Sequence, residues 1–109
     1  MLPYTLDEIT RRVTPVAKEY HLAAVYVFGS YARGNATADS DIDLLVDISG
    51  SGIVSLFQLG GLYSDLEAAL EAAIDLVTLD SLDEPTELRS QIHFRETVRQ
   101  ERKMIYAAA

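Results

Sequence analysis

The sequence predicts a single α+β domain of the alternating α/β kind, a small β-sheet packed against helices, and three observations carry that expectation. Three short runs rich in strand formers, LAAVYVF (22–28), DIDLLVDI (41–48) and IDLVTL (74–79), have the length and composition of strands rather than helices. Longer segments around them repeat their apolar residues at helical spacing. The 109 residues suffice for one core, but not for a core plus a separate substrate domain, so residues 1–109 are read as one domain.

Composition narrows the function classes. With 49% hydrophobic and 24% charged residues the chain is of the folded, soluble type. It has no cysteine, which closes the disulfide and zinc-thiolate readings. No apolar run approaches the roughly 20 residues of a membrane span. The opening MLPYTLDEIT lacks the basic-then-apolar order of a signal peptide, so a cytoplasmic setting is expected. The formal charge of -8 argues against direct nucleic-acid binding, which needs clustered Lys and Arg, and favours a basic protein partner.

Taken in order, Thr5 and Glu8 fit a capping box, with Tyr4 and Ile9 as the flanking staple, and predict a helix start. Leu6, Ile9, Val13, Val16 or Ala17, and Tyr20 would form its buried stripe. Pro15 either kinks this helix or opens a second one capped by Thr14. The first strand delivers the chain to Gly29 and Ser30. The second, Asp41 to Ile48, alternates, so Asp41 and Asp43 share one face while Ile42, Leu44, Val46 and Ile48 fill the other. An amphipathic helix is predicted from Ile53 to Ala73, its stripe running through Leu56, Leu59, Tyr63, Leu66, Leu70 and Ala73. Gly60 and Gly61 inside it predict a bend or a close backbone contact. After the third strand, Asp83, Glu84 and Pro85 predict the start of a last helix reaching about Tyr106. Five of the nine basic residues, Arg89, Arg95, Arg99, Arg102 and Lys103, fall in that segment.

The chemistry is concentrated at residues 29–47. Gly29 and Ser30 after a buried strand can bring backbone N–H groups and a hydroxyl to phosphate oxygens, although such a pair is more often an ordinary turn. Arg33 is either a phosphate contact or a solvated surface arginine. Ser40 either caps a turn or touches phosphate. Asp41 and Asp43 point the same way, and like charges so placed call for a cation between them. Oxygen ligands without cysteine favour magnesium. A water-facing polar strand is the plainer alternative. Asp75 shifts the balance: it is the only charged residue of its strand, and aspartate rarely sits among apolar strand residues without a partner. If the third strand pairs beside the second, Asp75 joins Asp41 and Asp43 in a three-carboxylate site. His21 and His93 have no ligand-spaced companion and read as structural or surface residues.

Gly29-Ser30, ten residues, then Asp41-Ile42-Asp43 resembles the nucleotidyltransferase superfamily typified by DNA polymerase beta, in particular its minimal nucleotidyltransferase (MNT) branch. The likeness runs through Ala32, Arg33, Gly34, Ser40, Leu44, Leu45 and Val46 and resumes at Ile74, Asp75, Leu76 and Val77. The resemblance implies the nucleotidyltransferase fold, a small mixed sheet against helices. It also implies that Gly29, Ser30 and Arg33 hold the triphosphate of ATP, with Ser40 beside them. Asp41 and Asp43 would bridge two Mg2+ ions, and Asp75 would bind the catalytic ion and address the acceptor hydroxyl.

Stand-alone members of the branch resemble the antitoxin half of HEPN/MNT toxin-antitoxin pairs. That implies transfer of AMP from ATP to a tyrosine of a HEPN-type toxin, a small helical ribonuclease. The alternatives are an antitoxin that neutralises by binding alone, and a nucleotidyltransferase acting on a small molecule or an RNA end.

Overall fold

The computed structural model describes residues 4–108. Helix α1 (Leu6–Glu19) starts at the expected capping box, Thr5 accepting from the Glu8 N–H while the Glu8 carboxylate accepts from Thr5. Pro15 lies inside this one continuous helix. Strand β1 (Ala24–Phe28) leads directly into the five-residue helix α2 (Gly29–Arg33), where a plain turn was expected. Then follow β2 (Ile42–Asp47), α3 (Leu56–Leu70) and β3 (Ile74–Thr78).

The end of the chain departs from the expected single helix. Residues 83–106 divide among the tail of a 3-10 turn (Asp80–Asp83), helix α4 (Arg89–Glu101) and a fourth strand, β4 (Lys103–Ala107). Pro85 lies in the extended segment before α4 rather than in its first turn. The strand exists because β1 offers a free edge: Val25 pairs with Tyr106 and Val27 with Lys103, across an irregularity between Val25 and Tyr26.

The four strands lie in the order β3-β2-β1-β4. β1 is antiparallel to β2 and to β4, while β2 and β3 run parallel, so the sheet is mixed as expected. A parallel pair needs a crossover, and α3 provides it. One face of the sheet, with Val25, Val27, Ile42, Leu44 and Val46, packs on Ile9, Val13 and Ala17 of α1 and Leu62, Leu66 and Leu70 of α3 to form the main core. The opposite face carries a smaller cluster of Phe28, Leu45, Leu82 and Val98, which places α4 over it.

The predicted stripe of α3 holds only in part. Leu66 and Leu70 are buried, but Leu56 is 86% exposed and Tyr63 37% exposed, and Leu62 takes their place. Helix α3 begins at a second capping box, Ser55 with Gln58, which tilts Leu56 and Phe57 out to solvent. Gly61 is the close approach expected of one of the two glycines: a Cβ there would stand 3.3 Å from the Tyr20 hydroxyl, which itself donates to Asp65 at 2.6 Å. Gly60 meets nothing within 4 Å. Gly60→Ala is therefore expected to raise unfolding stability by about 0.5–1 kcal/mol, the usual glycine penalty of a helix interior. Urea denaturation of the variant beside the parent checks this.

Candidate active site

The site lies where β1 ends, β2 begins and α4 crosses the second face of the sheet. Parallel register sets Asp43 opposite Asp75, and antiparallel register sets Asp43 opposite Phe28. Because paired residues share a face, both carboxylates project from the face away from the main core. Gly29 follows Phe28 and turns under Asp43 with φ of 70°. A Cβ on Gly29 would sit 2.0 Å from Asp43 Oδ2, so only glycine lets the backbone pass this carboxylate.

Asp43, Asp75, Gly29 and Arg33 are among the residues lining a cavity of about 520 Å3. Burial first, and then the neighbouring charges of Asp75 and Asp41, push the Asp43 carboxyl up to about 6, against a lowering effect of Arg33. Two carboxylates that repel each other in a half-buried position form a donor set suited to a hard cation. This chemistry fits magnesium.

Asp41 stands one residue before β2, is exposed, and is not part of the cavity lining, although its charge reaches Asp43. Among the described residues no three acidic or histidine side chains are gathered closely enough to hold a metal ion as they stand. The structure thus brings Asp43 and Asp75 together and leaves Asp41 at the rim. Ser30 is half-buried at the start of α2. Ser40 takes the turn-capping alternative, its Oγ accepting the Thr37 N–H at 2.8 Å. Arg33 is exposed but paired: its NH1 donates to both carboxylate oxygens of Glu101 at 3.1 and 3.0 Å. His21 is exposed in the left-handed turn after α1, and His93 is exposed on α4.

The other wall of the cavity comes from α4, through Phe94, Thr97, Val98 and Glu101. These occupy positions i, i+3, i+4 and i+7 of one helix face. As a sequence pattern this segment is poor: Leu88 and Ile92 begin an apolar row that continues through Arg95 or Glu96, Arg99 and Arg102, so it does not mark the cavity face. Of that row Leu88 is 64% exposed and Ile92 42% exposed, while Val98 is buried. The signal that could have found the right face is the FxxTVxxE spacing itself, with its apolar-to-acid order.

A glycine-bound turn, paired carboxylates on adjacent strands and an arginine lining the same cavity make an arrangement suited to chemistry on phosphate groups. Comparison with known proteins narrows this: residues 11–107 match the family described as polymerase beta, nucleotidyltransferase, and the chain belongs to that family. A relative from Thermococcus cleftensis, protein adenylyltransferase MntA, is 42% identical over 86 residues, covering 75% of this chain and 85% of that protein.

Two solved structures share the fold. One is a toxin-antitoxin with AMP-PNP, at 22% identity and a TM-score of 0.68 over 91% of this chain and 73% of that one. The other is the tri-AMPylated HEPN toxin of Shewanella oneidensis in complex with its MNT antitoxin, at 19% identity and a TM-score of 0.63 over 95% and 74%. Among the described residues no helix is long and apolar enough to cross a membrane.

Proposed function

We propose that this chain is a magnesium-dependent protein adenylyltransferase that moves AMP from ATP to a tyrosine hydroxyl of a HEPN-type toxin and acts as that toxin's antitoxin in the cytoplasm. The observation that carries this reading is the register of β2 on β3, which sets Asp43 opposite Asp75 above a glycine that only a bare backbone can occupy. The name of the MntA relative and the toxin-antitoxin neighbours support the choice of acceptor.

Asp41, Asp43 and Asp75 would hold the magnesium, with Asp41 drawn in from the rim. Bound magnesium supplies charge stabilisation to the attacking and leaving oxygens of an in-line displacement. The chain's own groups do the positioning. Gly29 and Ser30 bring backbone against the triphosphate, and Arg33 exchanges Glu101 for a phosphate oxygen. Asp75 is exposed on β3, an edge strand, so an acceptor approaching from that side meets its carboxylate first. The tyrosine oxygen bonds to the α-phosphorus as the bond from that phosphorus to the bridging oxygen breaks. AMP stays on the tyrosine, pyrophosphate leaves, and Asp75 orients the hydroxyl and receives its proton.

The test is incubation with ATP labelled at the α-phosphate, magnesium and the HEPN-type partner. Label on a partner tyrosine is expected; an unlabelled partner in the presence of magnesium overturns the reading.

Proton and cation compete for Asp43. With its carboxyl pushed up to about 6, the deprotonated fraction drops about tenfold between pH 7 and pH 5, and magnesium affinity is expected to drop with it. Titration calorimetry at the two pH values measures this. The effect on the cation-free fold has the opposite sense. A carboxyl raised above its unfolded value favours the protonated folded state, so Asp43 weakens the fold above about pH 6, and the fold regains stability as pH falls through that value.

A further inference from the structure

The cavity beside Asp43 has a mixed lining. Arg33, Asp43, Asp75 and Glu101 contribute charge to it, and Phe28, Val77, Phe94 and Val98 contribute apolar surface. Thr97 adds no free donor there, because its hydroxyl donates to the His93 carbonyl at 2.9 Å. A volume of about 520 Å3 is within the range of small-molecule sites. Phe94 is the conspicuous member of the apolar lining. It is 39% exposed, although a large aromatic ring at the edge of a core gains by deeper burial. Its ring meets Phe28 edge-on, with centroids 6.0 Å apart and planes at 79°. An edge-on contact uses at most one face of either ring, so Phe94 keeps an aromatic face unpartnered by Phe28. Phe28 is also the residue directly before Gly29, which ties the position of Phe94 to that of the glycine turn.

We propose that Phe94 is the nucleobase-stacking residue of this site, and that α4 supplies the wall on which the nucleoside rests while β1, β2 and β3 hold the phosphates. The inference rests on the nucleotidyl-transfer reading above, since it takes the occupant to be a nucleoside triphosphate. An apolar wall with an aromatic face and no free side-chain donor binds the π-face of a base rather than its hydrogen-bonding edge. Recognition of this kind tolerates different bases. Glu101, paired with Arg33, lies on the same helix face about two turns beyond Phe94, so α4 separates its aromatic position from its charged one along its length.

The experiment compares two probes by titration calorimetry with magnesium present: AMP-PNP, which has a base, and inorganic tripolyphosphate, which has none. Phe94→Ala is expected to weaken AMP-PNP by about tenfold or more and to leave tripolyphosphate unchanged. Phe94→Tyr, which keeps the ring, is expected to restore AMP-PNP affinity. Phe94→Leu keeps much of the bulk and is the reference for folding: it should bind tripolyphosphate like the parent and AMP-PNP weakly.

Equal AMP-PNP affinity in the parent and in Phe94→Leu overturns the stacking role while leaving the transferase reading intact. Equal weakening of both probes in all three variants also overturns it, because the effect would then be on the fold. Failure of the parent to bind either probe overturns the inference together with the reading on which it rests.

Discussion

Asp43→Asn is expected to lower nucleotidyl transfer at least about a thousandfold, because it removes a cation-ligating charge from the point where β1, β2 and β3 converge; a loss of that size corresponds to about 4 kcal/mol of transition-state stabilisation. The same change is expected to leave the cation-free protein as stable as the parent at pH 7, or more so. Asp43 is half-buried, with Asp75 as its register partner, and its carboxyl is pushed up to about 6 by burial and by neighbouring charge. A neutral amide relieves that repulsion without changing shape. Opposite signs of effect on activity and stability mark a residue kept for chemistry rather than for folding. Initial rates with labelled ATP and urea denaturation of the same preparation measure both, and a variant that loses stability would contradict the electrostatic account. If the variant still neutralises the toxin with the complex intact, occlusion rather than AMP transfer is the antitoxin mechanism.

Gly29→Ala is the second large effect. The new Cβ would stand 2.0 Å from Asp43 Oδ2 and 3.0 Å from its Cγ, so the carboxylate has to move by an ångström or more. Displacement of that order at a reacting centre costs about 100-fold in rate. The φ of 70° adds roughly 1–2 kcal/mol of backbone strain for any residue with a Cβ. Gly34→Ala separates the two contributions. Its φ is 84°, but a Cβ there meets nothing within 4 Å, so it should lose comparable stability and keep its rate. Equal rate losses in the two variants would assign the effect to strain alone.

What could be read from the chain depended on whether a residue's partners were close in sequence. The capping box at Thr5 and Glu8 needs only its own turn, and the alternation of β2 needs only one buried face, so both were legible. Asp75 stood out because a lone charge among Ile74, Leu76 and Val77 conflicts with its surroundings. Strand β4 had no such mark. KMIYA follows a helix rich in arginine, and it becomes a strand because the far edge of β1 is open to it, a fact of tertiary structure. Helix α2 is five residues long, too short to be stable alone, and is held between β1 and β2. The cavity face of α4 was missed for a related reason: Phe94 and Glu101 are oriented by Phe28 and Arg33, more than 60 residues away.

The unequal burial of the helices has a consequence for exchange with solvent. Helix α1 buries four residues and α3 three, but α4 buries only Val98. Its remaining hold is one aromatic contact and a few ion pairs and hydrogen bonds at the surface, including Arg33 with Glu101 and Arg99 with Asp83. Detaching α4 therefore needs far less free energy than opening the two-helix layer on the other face. Opening on this face leaves the main core intact, so the cavity under α4 can exchange its contents while α1 and α3 stay packed.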